Sequence, residues 1–168
     1  MALKIHPVTK VETDYEGYNV KINGISVPLN TARVSAVPFN RRWPGHQRGR
    51  EQTELINFLT FESDEPVVFE ITPNKSFEEV VIRPQSLGIK PEIKGNAIVF
   101  TLEKPAYFTI EPFGRNNALH VFGDSICEYD IDKTDENVLY FGKGEHDVGM
   151  LNLKSYQTLF IEEGAVVY

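Results

Sequence analysis

The sequence predicts an all-β protein. Short apolar or alternating runs recur about every ten residues, Gly, Pro, Asn and Asp punctuate them, and helix signals are nearly absent. Eleven Phe and seven Tyr against two Met point the same way, because aromatic side chains suit a pleated, half-buried surface. With 168 residues the chain suits one domain, or one domain with a short appendage, and can bury a core without disulfide staples.

The strands follow in order. Tyr18–Ile22 and Ile25–Leu29 flank Asn23-Gly24, a pair suited to a type I′ turn because both central positions need positive φ; this predicts a hairpin. Arg33–Phe39 alternates, with Val34, Ala36 and Pro38 on one face. Glu54–Glu62 is rich in Leu, Ile and Phe. Val67–Ile71, Val80–Arg83, Ala97–Leu102 and Tyr107–Glu111 are β-branched and aromatic, and Ala118–Phe122 adds one more. Gly95-Asn96 turns the chain between Glu92–Lys94 and Ala97–Leu102. Ser76 with Glu79 opens a single helical turn at most, since Val80, Val81, Ile82 and Pro84 return the segment to strand. Ten-residue spacing with turns throughout reads as a β-sandwich, of the immunoglobulin-like kind, over residues 1–125.

Residues 126–136 read as an acidic linker, within a run carrying Asp124, Glu128, Asp130, Asp132, Asp135 and Glu136. Beyond it, residues 137–168 change character. Val138–Phe141, a Gly turn, a second strand to Val148, an alternation at Leu151 and Leu153, then Gln157–Ile161 and Gly164–Tyr168 give very short strands with recurring Gly. Two readings stand: these strands fold back onto the sandwich, or they are the first strands of a parallel β-helix or an equivalent β extension. The shortness of the strands favours the second. About one coil is supplied, and a solenoid needs several to bury its core, so the chain reads as the leading piece of something longer.

Net charge −7 disfavours a phosphate backbone, and no basic amphipathic stretch invites an anionic membrane. The single cysteine, Cys127, excludes an intramolecular disulfide. Met1–Pro7 lacks the apolar centre of a signal peptide, so the expected location is cytoplasmic, or secreted if a leader has been removed.

The stretch from Tyr140 to Gly149, then Leu153–Leu159 and Glu163–Tyr168, resembles the lead into the right-handed β-helix of polygalacturonase-like and dextranase-like glycoside hydrolases. Val34–Arg48 and Val81–Pro84 resemble the β-sandwich domain that precedes the helix in some bacterial members. Tyr156 stands where that family usually has Gly, which implies a looser turn. The family's catalytic carboxylates lie well inside the β-helix, at positions with no counterpart here. The resemblance therefore implies a non-catalytic N-terminal accessory domain that caps the β-helix and contacts polysaccharide, with a downstream β-helix catalytic domain as its partner. The alternative from another class is a free-standing carbohydrate-binding module for an acidic polysaccharide. A small intact enzyme built on dispersed acids is a third, weaker reading.

The residues themselves offer few chemical constellations. Glu62, Asp64 and Glu65, and Glu78 with Glu79, are paired acids of the kind glycoside hydrolysis needs, but solvated loop charge accounts for them better. His6, His46, His120 and His146 lack metal-ligand spacing. Asp130–Glu136 resembles a calcium loop without its required Gly. No cofactor and no metal is expected. The distinctive segment is Asn40–Arg50, which holds the only Trp and four arginines in an acidic chain: Arg41, Arg42, Trp43, His46, Arg48 and Arg50 are the candidate site. An indole face stacks on sugar and guanidinium pairs with uronate, whereas the competing role is an anchor onto another domain.

Overall fold

The computed structural model describes residues 3–6, 15–36 and 49–168. The described residues are all-β apart from two single turns of 3₁₀ helix, at Arg50–Gln52 and Gln85–Leu87. Among them, no helix is long and apolar enough to cross a membrane. The chain divides into two compact units, the first running through Ile126 and the second comprising Cys127–Tyr168 together with His6.

The first unit holds two sheets. In one, the central strand is β5 (Thr53–Ser63). One edge of β5 pairs with β1 (Leu3–Ile5) and then with β4 (Asn30–Ser35), both antiparallel. Its other edge pairs in parallel with β11 (Leu119–Asp124). Beyond lie β10 (Tyr107–Arg115) and β7 (Val81–Arg83), antiparallel again. The second sheet is antiparallel throughout and runs β3 (Ile25–Val27), β2 (Tyr18–Ile22), β6 (Val67–Pro73), β9 (Ala97–Leu102), β8 (Glu92–Lys94).

The alternation of each strand decides its faces. In β6 the odd positions Val67, Phe69 and Ile71 are buried; in β10 Phe108 and Ile110 are; in β11 Leu119 and Val121 are. These residues join one core shared by both sheets. At its centre Phe69 is fully buried, stacked on Phe100 at 5.2 Å and edge-on to Phe61 and Phe108 at 5.6 and 5.7 Å. Offset and edge-to-face pairs at such separations are the favoured aromatic geometries.

The predicted hairpin is present. Asn23 and Gly24 have φ of 51° and 79°, the two positive values that a type I′ turn requires. Asn23 also accepts a bond from the Val68 amide through Oδ1 at 2.8 Å, which ties the hairpin tip to β6. The strand expected over Arg33–Phe39 instead starts earlier, at Asn30, because its ladder with β5 begins at the Asn30–Phe58 pair; residues 37–39 lie outside the described part. The expected alternation at Leu151 and Leu153 forms no strand. Strand β1 escapes sequence reading because three residues carry no usable period.

The second unit contains β12 (Val138–Phe141), β13 (Gly144–His146), β14 (Thr158–Ile161) and β15 (Ala165–Val167). All pairing is parallel: β12 with β14 from Val138–Thr158, and β13 with β15 from Gly144–Ala165. The chain thus returns in register about twenty residues later, one rung laid on another. The corners keep the ladder going, with Glu162 N donating to Phe141 O at 2.8 Å, Gly144 N to Gly164 O at 3.0 Å and Tyr168 N to His146 O at 2.8 Å. Equivalent side chains stack between rungs, as Tyr140 does on Phe160 at 6.0 Å and 8°. No described residue of this unit is buried. Two rungs supply a ladder without an enclosed core.

Candidate functional site

Five of the six residues singled out by sequence, Arg41, Arg42, Trp43, His46 and Arg48, lie outside the described residues. Arg50 is exposed at the start of the first 3₁₀ turn. The described residues around it are tied together. Ala36 N donates to Gln52 O at 2.9 Å, Thr53 Oγ1 donates to Arg50 O at 2.6 Å, and Arg33 Nη1 reaches Thr53 Oγ1 at 3.2 Å. The end of β4 and the start of β5 are thus held together at one end of the first sheet.

The paired acids do not converge. Glu62 is 3.5 Å from Lys4 Nζ, Asp64 accepts the Ile126 amide at 3.1 Å, and Glu65, Glu78 and Glu79 are exposed. Asp132 is held below the usual carboxylate range by the Thr134 hydroxyl and amide, which marks it as a turn-former. No cluster of His, Cys, Asp or Glu suited to a metal occurs among the described residues. His6 Nδ1 lies 3.2 Å from Glu163 Oε1, and His146 Nε2 meets Gly142 O at 2.6 Å with its ring against Phe141, so both serve local structure.

What the structure does assemble is a cleft of about 560 Å³ on the outer face of the first sheet. Strand register builds it. His120 of β11 faces Thr109 of β10 on one side and Phe58 of β5 on the other, and Thr109 faces Arg83 of β7. One register row therefore reads Phe58, His120, Thr109, Arg83 across four strands. The next row places Phe122 opposite Tyr107. These side chains occupy positions out of phase with buried Phe108, Ile110, Leu119 and Val121, so they point away from the core.

Three polar groups of the cleft are fixed by hydrogen bonds. The Tyr107 hydroxyl donates to Asp124 Oδ1 at 2.7 Å, and that bond pushes its phenol pKa up. Arg83 Nε donates to Glu111 Oε2 at 3.1 Å while Thr109 Oγ1 donates to Glu111 Oε1 at 2.9 Å. Burial pulls the His120 imidazole below its ordinary pKa, against the opposing fields of Glu111 and Glu54. The Tyr107 and Phe122 rings meet edge-on at 5.7 Å, and Phe122 meets Phe58 edge-on at 6.3 Å.

Sequence reasoning missed this cleft. Its one linear signal is an aromatic residue on the polar phase of an alternating strand, Tyr107 in YFTIEPF and Phe122 in LHVFGD. The strand partners that turn two such residues into a surface are not visible in either segment. A larger groove, about 720 Å³, lies against the second sheet; its lining mixes short polar side chains with Tyr15, Tyr18, Val20, Val27 and Leu29, and its Lys21 and Glu70 pair with each other at 2.9 Å.

No family model matches the chain, and no curated protein matches it. Among solved structures it is similar to Dex49A from Penicillium minioluteum, with 15% identity and a TM-score of 0.66. That match covers 95% of this chain and 44% of the other, so the chain spans less than half the length of Dex49A. The likeness is one of fold: an all-β architecture shared with part of Dex49A.

Proposed function

We propose that the chain is a non-catalytic accessory unit of a polygalacturonase-like or dextranase-like glycoside hydrolase, in which it caps one end of a right-handed β-helix and lies beside the polysaccharide. On this reading the first unit is an immunoglobulin-like sandwich and the second is the opening of the helix. The observation that carries it is the parallel return of β12 and β13 onto β14 and β15, about twenty residues on, with no buried residue between them. Such rungs stabilise one another only by stacking, and their bare strand edges invite further pairing. The fold likeness to Dex49A supports the same reading. The partner is a β-helix catalytic segment that adds rungs against β14 and β15.

Two measurements test this. The chain alone is expected to release no reducing ends from polygalacturonate or dextran. Appending two further coils that continue the twenty-residue repeat is expected to slow amide exchange in Thr158–Ile161 and Ala165–Val167 by at least about tenfold, because their open edge becomes paired. If those amides already exchange as slowly as the β5–β6 core without added coils, the stack is self-sufficient and the capping role is wrong.

A further inference from the structure

We propose that the cleft on the outer face of the first sheet is a binding site for a neutral oligosaccharide chain, which stacks on Tyr107 and Phe122 and hydrogen-bonds to Arg83, Thr109 and His120. Such a site needs no catalytic partner and stands apart from the capping role. It also lies on residues other than the Arg- and Trp-rich loop.

The aromatic rings supply the first reason. Tyr107 is 57% exposed and Phe122 37% exposed, yet neither ring is loose. Tyr107 is held at its hydroxyl by Asp124 and at its ring by Phe122, which in turn leans on Phe58. Rings immobilised before binding lose little freedom when a ligand arrives, so their contact area converts efficiently into affinity. A pyranose offers such rings an apolar C–H face.

The polar groups supply the second. A sugar that lays its C–H face on Tyr107 or Phe122 turns its hydroxyls towards the neighbouring row, where His120, Thr109 and Arg83 stand side by side. At about 4.8 Å per strand, the lining row from His120 through Thr109 to Arg83 spans about 10 Å, enough for more than one sugar unit. His120, held neutral by burial, offers one donor and one acceptor, which is the pairing a hydroxyl needs.

Charge decides the class. The one cation of the row, Arg83, is already matched by Glu111 at 3.1 Å, and Asp124 adds a carboxylate at the rim. A uronate would meet no uncompensated positive charge, and a phosphate chain would meet repulsion from a protein of net charge −7. A dry protein–protein patch would be depleted of charge at its centre, whereas this cleft runs polar and aromatic rows side by side. A neutral, polyhydroxylated chain satisfies both rows.

The test titrates the ¹⁵N-labelled full chain with maltohexaose, cellohexaose, mannohexaose and xylohexaose, and with the hexamer of galacturonate as the anionic control. At least one neutral hexasaccharide is expected to shift the amides of 107–109 and 120–122. Y107A is expected to weaken that binding about tenfold, as loss of an aromatic anchor does, while Y107F keeps affinity within about threefold. Thermal melts check that each variant folds; should Y107A unfold, R83A on an exposed side chain carries the test, with an expected loss of about threefold or more. Absence of binding by every neutral hexasaccharide overturns the assignment. So does binding that leaves 107–109 and 120–122 unmoved or survives both Y107A and R83A, preference for galacturonate, or concentration-dependent self-association that Y107A abolishes.

Discussion

Replacing Tyr156 with glycine should stabilise the second unit. Tyr156 has φ of 67°, in the left-handed region, and its side chain is 98% exposed. It sits third in the turn Lys154-Ser155-Tyr156-Gln157, closed by Gln157 N donating to Lys154 O at 3.2 Å, the arrangement of a type II turn. An L-residue held there costs about 1–2 kcal/mol. Glycine removes that strain but brings back about 0.4–1 kcal/mol of unfolded-chain entropy. With no packing to lose, the net gain is about 0.5–1 kcal/mol. Amide exchange of 138–146 and 158–167 should therefore slow about threefold in Y156G, since each 1.4 kcal/mol is a factor of ten. Y156A removes the ring and keeps the strain, so it should gain little. A Y156G protein no more protected than the parent, or a Y156A protein equally protected, would refute the reasoning. The looser turn implied by the missing glycine is not found, because the rung geometry holds Tyr156 in the conformation that glycine adopts without strain.

Three other substitutions probe the first unit. Asn57 is 1% exposed and accepts the Gly17 amide at 2.9 Å while donating to Tyr15 O at 2.6 Å, so Asn57→Ala should cost about 3 kcal/mol in denaturant unfolding by orphaning both backbone groups. Gly123→Ala places a methyl 2.6 Å from the Phe61 ring, itself nearly fully buried, and should lower stability by about 1–3 kcal/mol without changing the fold seen by circular dichroism. His120 is pushed down by burial, so the folded state binds fewer protons than the unfolded chain, and its contribution, full above about pH 6.5, is lost as pH falls. The denaturant midpoint should drop between pH 7 and pH 5, and H120Q should flatten that slope; an unchanged slope would reassign it to other groups.

Patterns confined to one strand or one turn were legible in the chain itself. Phe69, Phe108 and Ile110 lie on the apolar phase of alternating runs, and period two puts such residues on one side whatever the partner strand. Asn23-Gly24 declares its turn because few residue pairs tolerate two positive φ values. The short Gly-punctuated runs after Asn137 likewise read as short strands, whereas their parallel pairing, β12 with β14 and β13 with β15, is not written in any one of them.

Tertiary structure alone decided which strands are neighbours. Nothing in Glu54–Glu62 or Ala118–Phe122 states that β5 and β11 run parallel, yet that register sets His120 beside Phe58. Tyr107 and Phe122 are fifteen residues apart and read separately as ordinary exposed aromatics. Only the β10–β11 ladder makes them one surface, and only β7 brings Arg83 beside Thr109. The physical reason is that side-chain direction is a local property of the backbone, whereas adjacency across a sheet depends on long-range pairing that many registers of the same residues would permit.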